Sequence, residues 1–153
     1  MSKDAPPIVS SRSKQMAAIK SKDTSPELFI RRALYKRGFR YRLHYRKLPG
    51  KPDLAFPRYR ALIEINGCFW HGHNCHIFKW PNTRKAFWRA KIQQNRSRDI
   101  KNKRLRSEQG WRTLTIWECA ISGKTSLPDE ELICLVVKWI ELGVSDWQIT
   151  GDN

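Results

Sequence analysis

No stretch of this sequence is apolar for long. The longest clear run is Leu132 to Val137, far short of the roughly 20 residues that a bilayer-spanning helix needs. The N-terminus, Met1 to Val9, lacks the apolar stretch of a secretory signal. Both absences point to an intracellular protein. Acidic residues are also scarce: 14 Asp and Glu face 30 Lys and Arg, a formal net charge of +16. A domain this basic usually meets a polyanion. The basic residues are spread over the whole chain, and no long apolar face accompanies them, which argues against a membrane-surface role. Cysteines number four. In a reducing compartment they read as metal ligands or core thiols before disulfides.

The 153 residues show no internal repeat and suffice for one domain with a real core. The expected organisation is a flexible basic N-terminal arm over 1–22 and a single domain over 23–153. A helix should start near Ser25, with Ser25 as N-cap and Pro26 in the first turn, and stop at Gly38. Phe39 to Tyr45 alternates and reads as a strand. Asp53 to Phe56 and Arg60 to Asn66 read as a hairpin turning around Pro57-Arg58. A long helix should cover Thr83 to Gln109 and end at Gly110; it holds ten Lys or Arg. Trp111 to Trp117 alternates as a strand, and Pro128 to Leu142 is an amphipathic helix through Leu132, Leu135, Val136 and Trp139. The predicted fold is a mixed sheet flanked by helices.

The densest chemistry lies in Gly67-Cys68-Phe69-Trp70-His71-Gly72-His73-Asn74-Cys75. Thiols and imidazoles at this density suit zinc, which takes four tetrahedral ligands in structural sites. Cys68, His73 and Cys75 lie close enough to share an ion. Cys119 is the best fourth ligand: if strand 111–117 runs parallel to strand 60–66, both cysteines emerge at one sheet edge. His71 and His76 compete for the place. Cys134, in Leu132-Ile133-Cys134-Leu135, reads as a core thiol, and His44 as a surface residue.

A second constellation is acidic. Asp53 opens one strand of the hairpin, and Glu64 sits in the other, among Ala61-Leu62-Ile63 and Ile65. A carboxylate in so apolar a strand needs a metal or a partner. Two carboxylates and the Ile65 carbonyl could hold Mg²⁺ with several waters. The layout resembles that of the Pro-Asp…(Asp/Glu)-x-Lys nucleases, with Asn66 in place of the lysine. Asparagine is no base, and His71 is the nearest group that titrates near neutrality. Glu27 either complements the dipole of its helix or stands near the metal.

Leu48-Pro-Gly-Lys-Pro-Asp53, Asn66-Gly-Cys-Phe-Trp-His-Gly-His-Asn-Cys75, Phe78-Lys79, Pro81, Thr83-Arg84, Phe87-Trp88, Trp111-Arg112 and Trp117-Glu118-Cys119-Ala120 together closely resemble the very-short-patch-repair (Vsr) mismatch endonucleases. The match runs from about Arg12 to Leu142. The resemblance implies a restriction-endonuclease-like fold with one structural zinc. It implies a Mg²⁺-dependent nick in double-stranded DNA, 5′ to the thymine of a T·G mismatch left by deamination of 5-methylcytosine. By position, Asp53 would be the metal carboxylate and His71 the general base. Cys68, His73, Cys75 and Cys119 would hold zinc. Phe69, Trp70 and Trp88 would wedge into the stack from the major groove, and Met16, in the Arg12-Ser-Lys14-Gln-Met segment, from the minor groove. A monomer in the cytoplasm of a prokaryotic-type cell, near the nucleoid, is expected, with other mismatch-repair proteins as further partners.

Two positions depart from the pattern. Some members carry an apolar residue where Glu64 stands and rely on the main-chain carbonyl at Ile65. Asn66 replaces a histidine seen in some members. Arg12, Lys14, Lys20, Arg84, Lys85, Arg89 and Arg96 are the candidate phosphate contacts. If six to ten phosphates are neutralised, duplex affinity should fall about 10³–10⁵-fold between 50 and 200 mM salt. A filter-binding titration checks this, and a flat response would contradict the charge argument.

Overall fold

The computed structural model describes residues 23–151. The basic arm, with Arg12, Lys14, Met16 and Lys20, lies outside the described residues. Helix α1 spans Ser25–Lys36. Its N-cap is Thr24 rather than Ser25: the Thr24 side chain accepts from the Glu27 amide at 3.3 Å, and Pro26 fits the first turn. Gly38, at φ +92°, ends it. The Phe39 amide then reaches back to Leu34 O and the Gly38 amide to Tyr35 O, which satisfies the last carbonyls. Glu27, Ile30 and Leu34 form the buried stripe.

Strand β1 is Arg42–Leu43, much shorter than the alternation over 39–45 suggests. His44 takes a left-handed conformation, φ +46°, and kinks the chain out of regular pairing. The His44 and Tyr45 amides still bond to the carbonyls of Asp53 and Pro52. Strand β2, Leu54–Phe56, turns through a 3₁₀ segment, Pro57–Tyr59, into β3, Ala61–Asn66. Helix α2 is Lys85–Glu108, and β4 follows at Arg112–Trp117. A four-residue helix α3, Glu118–Ile121, precedes α4, Asp129–Leu142, and a last strand β5, Trp147–Ile149. The sequence reading missed α3 and β5, both shorter than any periodicity can reveal.

The sheet runs β1-β2-β3-β4-β5. β1–β2 and β2–β3 are antiparallel, while β3–β4 and β4–β5 are parallel. A parallel neighbour requires a crossover, which the 67–84 loop and α2 supply. The mixed α/β architecture is therefore the expected one. Alternation sorts the side chains. Leu54, Phe56, Ala61, Ile63, Leu114, Ile116 and Ile149 face α1 and α4 in the main core. Ala55 and Leu62 face the other way, with Leu48 and Trp111. Within α4 Cys134 is exposed, not a core thiol; the buried stripe is Leu132, Ile133, Val136, Trp139 and Ile140. Among the described residues no helix is long and apolar enough to cross a membrane.

Candidate active site and metal centre

The parallel β3–β4 pairing sets Asn66 opposite Trp117. The Cys/His loop leaving β3 and the residues leaving β4 thus emerge at one sheet edge. There the ligand atoms of Cys68, His73, Cys75 and Cys119 all lie within 4.8 Å of one another. Cys68 Sγ is 3.5 Å and Cys119 Sγ 3.7 Å from His73 Nδ1. The Gly151 amide donates to Cys119 Sγ at 3.3 Å. The His73 ring stacks on Trp117, 4.1 Å between centroids and 6° from parallel. His71 and His76 stand apart: His76 Nδ1 is 3.4 Å from Thr125 Oγ1, and His71 turns to α2. Burial pushes the Cys68 and Cys119 thiols up and holds His73 below its usual range. Neutral imidazole is the ligand form. Thiols this reluctant to ionise need a cation to become ligands, which a bound metal supplies. Three thiols and one imidazole fit zinc.

The acidic constellation lies where the hairpin puts it. The β2–β3 register pairs Leu54 with Ile63, and one further step sets Asp53 opposite Glu64. Asp53 Oδ2 accepts from the Ile65 amide at 2.8 Å. The Asp53 carboxyl is pushed from its ordinary 3.8 up to about 7. Burial is the main cause; the Ile65 amide opposes it, the Glu27 and Glu64 charges add to it, and His44 opposes it. Those groups therefore surround Asp53 closely enough to be felt.

Glu27 is only 2% exposed. Its Oε2 accepts from His44 Nε2 at 2.9 Å and Arg31 Nη1 at 3.1 Å, and its Oε1 from the Asp23 amide at 3.1 Å. His44 is thus no mere surface residue. Glu64 carries a partner of its own: the fully buried Arg106 brings Nη2 within 2.7 Å of Glu64 Oε1.

His71 Nδ1 lies 2.5 Å from Asp99 Oδ2. Sequence reasoning missed Asp99, which sits in a helix crowded with lysine and arginine and carries no local signal. A carboxylate here accepts from Nδ1–H and orients the ring, fixing the tautomer whose Nε2 lone pair is free to accept a proton. More of α2 grips the same loop. Asn95 Nδ2 donates to Trp70 O at 2.8 Å, and Arg96 donates to the His71 and Gly72 carbonyls. Arg96, expected on phosphate, is spent at least partly on the loop.

Phe69, Trp70 and Trp88 do meet, with ring centroids 5.3–5.9 Å apart. Phe69 is 8% exposed, packed also against Phe78. Phe78 leads on to Trp80, with Arg89 above its ring, and Arg84 covers Phe87. Trp80 and Phe87 stay exposed. Arginine over aromatic faces is a favourable surface for bases and phosphates together.

The sequence model of the family described as DNA mismatch endonuclease Vsr matches residues 8–77. The DNA mismatch endonuclease Vsr of Escherichia coli (strain K12) is 43% identical over 129 residues, 84% of this chain and 83% of its own. A type II nicking enzyme of Xanthomonas oryzae, V.XorIIP, is 42% identical over 107 residues, 70% of this chain and 79% of its own. V.NmeAIP of Neisseria meningitidis, likewise a type II nicking enzyme, is 40% identical over 115 residues, 75% and 82% of the two chains.

Two outcomes follow from this geometry. Folded, metal-free protein keeps the Asp53 proton up to about 7, whereas the unfolded chain releases it near 4. Stability therefore declines as pH rises between those values. In urea unfolding without metal, Asp53→Asn should be more stable than wild type at pH 8, with the gain largely gone at pH 4; an equal gain at both would contradict the shift. At the thiol cluster, metal analysis should find about one zinc per chain. Cys119→Ser should lose that zinc and melt lower, while Cys134→Ser should keep both properties.

Proposed function

Because the chain belongs to the Vsr family of DNA mismatch endonucleases, we propose that it cuts one strand of duplex DNA 5′ to the thymine of a T·G mismatch, opening very short patch repair. It is a DNA endonuclease, a hydrolase of phosphodiester bonds. The observations that carry the finer reading are the Asp53 corner of the β2–β3 hairpin and, on the loop leaving β3, a His71 oriented by Asp99 and a cluster of edge-to-face rings. The hairpin feeding parallel strands supports a restriction-endonuclease-like fold for the sheet.

Asp53 and the Ile65 carbonyl would hold Mg²⁺. Both are hard oxygen donors, and the Asp53 carboxyl, burdened by burial and two neighbouring acids, gains from any cation that lets it ionise. When bound, the ion supplies positive charge to the phosphodiester as it breaks. Glu27, held by His44 and Arg31, keeps a second carboxylate beside Asp53. His71, its Nδ1 turned to Asp99, takes a proton from the attacking water at Nε2. Bound DNA would supply the remaining positions of the ion's shell.

The rings would choose the place. A mismatch is easier to unstack than a Watson–Crick pair, so inserting Trp70, Trp88 and Phe69 costs less there. Met16 would enter from the opposite groove. Cys68, His73, Cys75 and Cys119 would hold Zn²⁺, pinning the loop that bears His71 and two of the rings. A single cut in one strand needs one active site, which suits a monomer.

The test is a duplex carrying one T·G pair, its matched counterpart and a panel of other mismatches, each with Mg²⁺. Nicking should be confined to the T·G duplex, on the thymine strand. His71→Ala should lower the rate about 10²–10⁴-fold. Equal cutting of matched and mismatched duplexes would remove the specificity, and no cutting would remove the catalytic assignment.

A further inference from the structure

Arg106 lies on the most highly charged helix of the fold, yet its side chain is 0% exposed. It reaches inward from α2 to the two chain segments that carry the oxygens assigned above to the metal. Its Nε donates to Pro49 O at 2.8 Å. Its Nη2 stands 2.7 Å from Glu64 Oε1. That contact is off the line of a hydrogen bond, and neither Nη1 nor Nη2 has an aligned acceptor. The attraction to Glu64 is therefore ionic. A buried guanidinium without aligned acceptors depends on a compensating charge.

The turn next to it is built around it. Gly50 has φ +81°, and a Cβ there would come within 2.4 Å of Arg106 Nη2 and 2.7 Å of Asn102 Nδ2. The backbone lies directly on the guanidinium, with no room for a side chain. Asp53 follows three residues later. On the other strand, Glu64 precedes Ile65, whose amide holds Asp53 Oδ2 and whose carbonyl is the second assigned oxygen. One cation thus fixes both sides of the binding corner.

We propose that Arg106 is a positioning residue that clamps the 48–50 turn against β3, and that Glu64 serves this clamp instead of ligating the metal. The proposal rests on the reading that Asp53 and the Ile65 carbonyl hold the ion. Its logic is charge balance. If Glu64 turned to a divalent ion, the guanidinium would be left buried without its counter-charge. If Glu64 is removed alone, the stranded guanidinium can turn to Asp53 and compete with the ion for it. If both charges are removed and the space refilled, the corner should survive, since buried ion pairs are often replaceable by apolar residues of similar volume.

The test is binding of Mn²⁺, a spectroscopically visible substitute for Mg²⁺, to the full chain in the absence of DNA, followed by electron paramagnetic resonance. Glu64→Leu should weaken binding about 10–100-fold, the usual effect of losing a partner that orients a ligand. Glu64→Leu/Arg106→Leu should return to within about threefold of wild type. A double variant as weak as Glu64→Leu would make Glu64 a direct ligand and overturn the proposal. So would Glu64→Leu binding as tightly as wild type. Should the double variant fail to fold, Glu64→Met/Arg106→Met makes the same comparison with side chains that adapt to the cavity. Asp53→Asn is the separate control: unchanged Mn²⁺ binding there would overturn the metal assignment itself.

Discussion

β3 and β4 run parallel and in register, so that two chain segments far apart in sequence leave the sheet at the same edge. The zinc-type cluster exists because Cys68 and Cys119 follow those two strand ends. The same register places Trp117 under the His73 ring and keeps the Cys/His loop above α2, the crossover that a parallel pair obliges. From that helix Asn95, Arg96 and Asp99 all reach the loop. The His71 imidazole is thus held from below by the sheet, from the side by the helix and from within by the thiol–imidazole cluster.

The acidic corner is the opposite of the rest of the chain. A protein with net charge +16 concentrates Glu27, Asp53 and Glu64 in one partly buried place. Each is handled differently. Glu27 is saturated by donors, Glu64 is paired with a buried guanidinium, and Asp53 has one amide and is left strained toward its neutral form. The carboxylate with the least compensation is the one that gains most from a divalent ion. On the proposed reading the basic surface would draw the polyanion in, and the acidic corner would keep the phosphodiester at arm's length until a cation sat between them.

What could be read in the residues alone was whatever has a period or a local density. The hairpin, the charged crossover helix and three members of the thiol–imidazole cluster were legible, because strands alternate and Cys68, His73 and Cys75 crowd together; Cys119 entered only on the condition that its strand ran parallel to 60–66, which the fold meets. What could not be read depends on distant pairing. Asp99 and Arg106 look like two more charges on a charged helix, and only the fold sends one to His71 and the other beneath β3. His44 looks exposed until its kinked backbone brings it onto Glu27. Ser25 is the better cap by type, yet one hydrogen bond from the Glu27 amide makes Thr24 the cap. β5 has three residues, below the length at which alternation carries information, and its place is fixed by contacts such as Asp146 to the Thr113 amide and Gln148 to Trp117.

The aromatic cluster adds a constraint on how a mismatch would be chosen. In the free protein its rings already satisfy one another edge to face, and Phe69 is buried among them. Each such pair contributes about 0.5–1.5 kcal/mol beyond its buried area. A ring moved into a DNA stack gives up those contacts and gains about 1–3 kcal/mol from the base it meets. The exchange is close to even, so insertion has little surplus with which to open sound duplex. The balance then falls to the DNA: a stack already weakened by a mismatch yields, and an intact one does not. A wedge of fully exposed rings would lack this threshold, because it would enter either stack with the whole stacking energy in hand. On the proposed reading, the packing of the cluster against itself would therefore be part of the selectivity.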